Sequence, residues 1–120
     1  MDRNEVVLVG RIGEKIARKK TVHGQEYVWF PLEVENRKAA KGSANNYHAS
    51  INVMVFSPSL IQYLEKVKLK TGNTVAVFGF ISSYKQEKKG SVQYMNGINA
   101  EDVIVKKTQS DEDIRNSIKQ

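Results

Sequence analysis

A chain of 120 residues, 40% apolar and 27% charged, has the length for one core and the composition of a globular domain. It has no cysteine and only His23 and His48, which excludes disulfide frameworks, thiol catalysis and cysteine- or histidine-rich metal sites, and no apolar run approaches the ~18 residues of a membrane span. Nineteen Lys and Arg against 13 Asp and Glu leave a net charge of +6, a balance found in nucleic-acid binders, ribosomal proteins and membrane-surface proteins alike.

Val6-Val7-Leu8-Val9 is a continuous aliphatic run and reads as a well-buried strand. The glycines of Gly10-Arg11-Ile12-Gly13 predict a bulge or sharp bend after it. Arg18, Lys19 and Lys20 then precede a turn at His23-Gly24 and read as a basic loop. From Tyr27 to Glu35 the pattern alternates, with Val28, Phe30, Leu32 and Val34 on one face and Tyr27, Trp29, Pro31, Glu33 and Glu35 on the other. Pro31 cannot donate to a ladder, so an edge or bulge is expected there. Residues 36–47 read as a mobile basic loop containing Arg37, Lys38 and Lys41 and no acid. The next strand sets Ile51, Val53 and Val55 against His48, Ser50, Asn52, Met54 and Phe56.

A helix is predicted after it, with Ser57 as cap, Pro58 in the first turn, Leu60, Ile61, Leu64 and Val67 at helical spacing, and an end at Thr71-Gly72-Asn73. Thr74 to Tyr84 reads as a long strand, Lys85 to Ser91 as a polar basic loop, Ser91 to Ile98 as the return strand, and Asp102 to Val105 as a short final strand. Residues 1–107 are expected to form one domain, and the polar segment 108–120 a frayed tail. Three strands, one helix and two strands is the order of an all-β, five-stranded Greek-key barrel with one helix between strands 3 and 4, the OB-fold, whose strands and loops frame an oligomer-binding face.

A binder of single strands needs cations for phosphates and aromatic faces for bases. The cations fall in three predicted loops: Arg18, Lys19 and Lys20; Arg37, Lys38 and Lys41; and Lys85, Lys88 and Lys89. Phe56 lies opposite the aliphatic set of its strand and reads as a stacking platform, with a subunit contact as the alternative. Trp29 has the same two readings, Tyr84 is placed to stack beside the last basic loop, and Tyr47 is either a reserve or loop packing. Phe30 is read as core, Tyr63 and Tyr94 as structural, and Phe78 and Phe80 remain open between core, site and interface.

Catalytic motifs are missing: there is no phosphate-binding Gly-Lys-Ser/Thr loop and no Gly-x-Ser-x-Gly elbow. Glu33 and Glu35 share a face, but nothing in the flanking sequence shields them, so they read as solvated. His48 and Ser50 read as a surface pair, and Gly10-Arg11-Ile12-Gly13 leaves a strand instead of joining two helices, unlike the loop of KH domains. No cofactor and no metal are expected.

Asn4-Glu5-Val6-Val7-Leu8-Val9-Gly10-Arg11-Ile12-Gly13 closely resembles the opening strand of the bacterial and mitochondrial single-stranded DNA-binding proteins. Val53 to Phe56, the helix from Leu60 to Val67, the segment Lys70 to Gly79 and the stretch Asn99 to Val105 are similar to that family's later elements, in order, so the resemblance spans roughly residues 4–105. It implies sequence-tolerant binding of single-stranded DNA in replication, recombination or repair, and a homo-oligomer, tetramer before dimer. It also implies a cytoplasmic, nucleoid-associated place, with the mitochondrial matrix or a phage-infected cell as alternatives, and contacts with replication or recombination proteins.

The departures lie in the aromatics. The family's phenylalanine matches Phe56, but its tryptophan six residues earlier falls on Ser50, with Tyr47 just upstream. Another tryptophan falls on Lys38, and the aromatic near the end of the fourth strand falls on Gln86, two residues from Tyr84. Rearranged stacking is expected, with the lysines carrying more of the affinity. The acidic tip that docks partner enzymes has only a faint echo at Ser110 to Ile114, as expected of a phage, mobile-element, organellar or accessory member. Two alternatives stand beside this reading: a protein-interaction adaptor of a replication complex, and an RNA-binding OB protein.

Overall fold

The computed structural model describes residues 2–35 and 48–106, so the predicted loop at 36–47 and the predicted tail at 108–120 lie outside the described residues. The elements in chain order are β1 (Val6–Ile12), β2 (Ala17–Lys20), β3 (Glu26–Glu35), β4 (His48–Val55), α1 (Pro58–Lys66), β5 (Thr74–Lys88) and β6 (Ser91–Lys106). They form one sheet in the order β1-β5-β6-β4-β3-β2, closed by pairing of β1 with β3. Apart from the parallel β4–β6 pair, all pairings are antiparallel. Strands β1, β3, β4, β5 and β6 thus make the closed five-stranded OB barrel, with α1 between the predicted third and fourth strands.

The alternation in β3 and β4 sorts residues as the sequence implies. Phe30, Leu32, Val53 and Val55 are fully buried with Val75, Val77 and Val103, and α1 adds Leu60, Ile61 and Leu64 to the same core. Pro31 occupies a gap in the ladder. On that side β3 pairs with β2 as far as Trp29 and with β1 from Leu32 onward, so no N–H is needed between them. The bend at Gly10 lies where β1 adds β3 to its β5 partner, at Arg11 and Ile12. A Cβ on Gly10 would run into the Glu33 backbone, so only glycine lets the seam close. At the other end of β1, Asn4 extends the ladder by its side chain. Its Oδ1 accepts from the Ile81 N–H at 2.9 Å and its Nδ2 donates to the Ile81 carbonyl at 2.8 Å.

Several boundaries differ from the sequence reading. β1 is half-buried, not well buried: Val7 and Val9 are 63% and 49% exposed. An all-aliphatic run hides the period-2 alternation of a strand with one face outside. Arg18, Lys19 and Lys20 belong to a strand, β2, which pairs with Tyr27, Val28 and their neighbours in β3. The predicted loop at 85–91 is mostly ladder, since pairing runs from Lys85↔Tyr94 to Lys88↔Ser91. The turn is only Lys89-Gly90, with φ of 50° and 79°, as a two-residue hairpin turn with two left-handed positions requires. β6 is one strand through 98–102, and the register shift between Phe78 and Gly79 accommodates Glu101.

Ser57 caps α1 as expected, its Oγ accepting from the Leu60 N–H at 3.4 Å. The helix stops earlier than Thr71-Gly72-Asn73. Lys68 turns left-handed (φ 56°), the Leu69 N–H donates to the Leu64 carbonyl, and the Lys68 N–H donates to the Glu65 carbonyl. This is a Schellman end, and it leaves Val67 38% exposed.

Candidate nucleic-acid interface

The outward face of the barrel collects the side chains that alternate away from the core. Trp29 on β3 stands opposite Met54 on β4, and Tyr27 on β3 lies two residues from it on the same face. Phe56 follows the end of β4 and packs on Tyr27, with ring centroids 5.0 Å apart and planes at 31°. Tyr84 reaches the same floor from β5. All four rings are half-buried, with apolar surface left for a ligand.

Between the β2–β3 and β5–β6 hairpins lies a groove of about 760 Å³. Tyr27, Met54, Phe56 and Tyr84 line it together with Lys20 and Lys85, and Val22 and Val92 stand at its edges. A smaller cavity of about 310 Å³ adds Trp29, Asn52 and Lys19 to the same face. Among the described residues no carboxylate lines either space. The Lys19 ammonium sits over the Trp29 ring, 4.7 Å from its centroid, and that of Lys85 over Tyr94 at 5.6 Å. The result is an apolar floor edged by positive charge.

Two residues without charge or ring shape that floor. Gly97 on β6 leaves the space a side chain would fill: a Cβ there would lie 2.8 Å from Met54 Cε and 3.4 Å from Tyr84 Cε1. Asn52 stands between the rings, accepting from the Trp29 indole N–H at 3.2 Å and donating to the Tyr84 hydroxyl oxygen at 3.3 Å.

The structure thus brings together Trp29, Phe56, Tyr84, Lys19, Lys20 and Lys85 from the sequence-predicted set. Arg18 lies elsewhere, because it alternates with Lys19 along β2 and ion-pairs with Glu65 of α1. Lys89 is exposed at the hairpin turn. Tyr47, Arg37, Lys38 and Lys41 lie outside the described residues, as does the side chain of Lys88. Sequence reasoning passed over Tyr27 as a site residue, although its alternation with Val28 put it on the face of Trp29. Tyr94, read as structural, is 71% exposed, and Phe78 is exposed on the opposite side of β5 from the core valines.

Glu33 accepts from Ser50 Oγ at 3.3 Å through Oε1 and pairs with His48 Nε2 at 2.6 Å through Oε2, so one carboxylate holds both groups. Among the described residues no cluster of three or more His, Asp or Glu side chains is arranged to hold a metal. Among the same residues no helix is long and apolar enough to cross a membrane.

Comparison with known proteins points one way. The family model described as "Single-strand binding protein family" matches residues 3–106. The fold resembles the mitochondrial single-stranded DNA binding protein Rim1 of S. cerevisiae, at 21% identity and a TM-score of 0.64, covering 88% of this chain and 96% of that one. It also resembles the Plasmodium falciparum SSB solved in complex with ssDNA, at 19% identity and a TM-score of 0.68, covering 89% and 97%. The dimeric N-terminal domain of PriB from Thermoanaerobacter tencongensis is similar at 21% identity and a TM-score of 0.62, covering 88% and 98%. Curated protein sequences give no match.

Proposed function

The chain belongs to the single-strand binding protein family, and we propose that it binds single-stranded DNA with little regard to sequence, protecting it during replication, recombination or repair. The observation that carries this reading is the half-buried floor of Tyr27, Trp29, Phe56 and Tyr84 with Lys19, Lys20 and Lys85 around it. Every base has a π-face, so each stacked ring contributes about 1–3 kcal/mol whatever the base. The lysines displace counterions from phosphates, and each neutralised phosphate adds about 0.7 to the slope of log affinity against log salt. The role is one of binding without a catalytic step. Arg37, Lys38, Lys41, Lys88 and Lys89 are proposed to add phosphate contacts to those of the floor, and Tyr47 is proposed as a reserve stacking ring. The proposed place of action is the cytoplasm at the nucleoid, with the mitochondrial matrix as the alternative.

The working form is proposed to be a homo-oligomer, a tetramer before a dimer. Val7, Val9, Phe78 and Ile104 expose apolar surface on the side of the β1–β5–β6 sheet away from the core. Among the described pairings, β1 from Val6 to Val9 has a partner on one edge only. Such a surface supports association with a second copy.

Trp29 is the chain's one tryptophan, so its fluorescence reports a single place. Titration with oligo(dT), its RNA counterpart and duplex DNA at several salt concentrations tests the proposal. Strong quenching by the DNA single strand, little response to duplex and residual affinity at high salt are expected. Equal binding of single strand and duplex, vanishing with salt, would leave only a generic basic surface. Preference for the RNA strand would reassign the substrate.

A further inference from the structure

We infer that Asn52 is a positioning residue of the groove, holding Trp29 and Tyr84 in the orientation that receives a nucleic-acid strand; this rests on the single-strand reading above. Its side chain bridges two rings that different strands supply, Trp29 from β3 and Tyr84 from β5, while Asn52 itself belongs to β4.

The indole N–H is donor only, so the amide of Asn52 must turn Oδ1 toward Trp29. That leaves Nδ2 facing Tyr84, where it donates to the hydroxyl oxygen. The hydroxyl's own proton is then free for a ligand acceptor, a base carbonyl or a phosphate oxygen. One amide thus sets the edge of one ring and the donor direction of the other. The site around it holds the bridge in place. Asn52 is half-buried opposite Pro31, whose side chain has no polar atom to compete, and Gly97 leaves room beside the Asn52 backbone, where its Cβ would lie 3.1 Å from the carbonyl. Rings held before the ligand arrives lose less freedom on binding, which is how an amide that need not touch the strand raises affinity.

The test uses the full chain and compares Asn52→Leu, close in volume and without hydrogen bonds, in two backgrounds: the native one and Trp29→Phe/Tyr84→Phe. Oligo(dT) binding is followed by anisotropy of a labelled strand, and thermal melting monitors the fold. In the native background Asn52→Leu is expected to weaken binding about tenfold and to shift the emission of Trp29 in the free protein. In the double-Phe background, where neither hydrogen bond exists, it is expected to change affinity less than about twofold. Asn52→Ser, which brings no apolar bulk to the face, serves as the second variant and must give the same pattern. Unchanged affinity and emission in folded variants would overturn the inference. So would an equal loss in both backgrounds, because Asn52 would then touch the strand itself. Absence of binding by the native chain would instead sink the single-strand reading, and this inference with it.

Discussion

Phe56 and Tyr27 share a contact, yet each ring keeps part of its surface open above the groove. Phe56 is half-buried, so removing its ring leaves no sealed cavity of the kind that makes a core Phe→Ala cost about 3–5 kcal/mol. Phe56→Ala is therefore expected to weaken oligo(dT) binding by about 1–3 kcal/mol while the domain stays folded, as Trp29 titration and thermal melting would register together. Full affinity in the folded variant would take Phe56 out of the site. Gly97 tests the floor from below. The methyl of Gly97→Ala meets Met54 Cε, the far end of a flexible side chain that can turn aside, and lies 3.1 Å from the Asn52 carbonyl oxygen, a tight contact that a small backbone shift relieves. The branched Gly97→Val adds bulk toward Tyr84, 3.4 Å from where the Cβ would lie. The valine variant is expected to lose up to the value of one stacked base, about 1–3 kcal/mol, and the alanine variant much less. Equal affinities for both would mean that Tyr84 does not stack.

At the scale of elements, the end of α1 offers a direct test of backbone strain. Lys68 occupies the left-handed position that a Schellman end usually gives to glycine. Lys68→Gly removes the Cβ clash but enlarges the freedom of the unfolded chain, and the balance is an expected gain of roughly 0.5–1 kcal/mol in denaturant unfolding. A loss would show that the lysine stem, which borders one surface hollow with Ile61, Leu64 and Leu69, contributes packing that outweighs the strain. Lys68 also marks what sequence could and could not convey. The helix start was legible because Ser57 and Pro58 act locally, whereas its end was not, because a lysine carries no mark of a positive φ. The period-2 pattern of Tyr27 to Glu35 gave both faces of β3 and hence the placing of Trp29. Ala17-Arg18-Lys19-Lys20 has no such pattern, and it is a strand because the edge of β3 offers partners. Only the tip of the β5–β6 hairpin, residues 85–91, reads as a loop, for the same reason: its polar residues alternate with nothing apolar, although Lys85 to Lys88 pair with Ser91 to Tyr94. The pairing of Arg18 with Glu65 and the Asn52 bridge join residues 47 and at least 23 positions apart, beyond the reach of any local signal.

The whole molecule presents two surfaces of different kinds. One is the lysine-edged aromatic groove, and the other the apolar patch of Val7, Val9, Phe78 and Ile104 on the β1–β5–β6 sheet. Val7 lies opposite Phe78, and Val9 opposite Ala76, which in turn faces Ile104, so the patch is continuous across three strands. Charged substitutions there would alter the +6 balance on which the proposed DNA binding draws, so a neutral change is the cleaner probe. Val7→Gln/Val9→Gln places polar side chains on positions already 63% and 49% exposed within one protomer, where the fold loses little. In sedimentation equilibrium the native chain is expected at a multiple of 13.6 kDa and the double variant shifted toward a single protomer. The variant should still show Trp29 quenching by short oligo(dT), because the groove is lined by other strands, while long strands bind more weakly once protomers no longer act together. The same mass for both chains would show that this patch is not where copies meet. A monomeric variant that also lost short-strand binding would mean that the groove is completed across the protomer boundary.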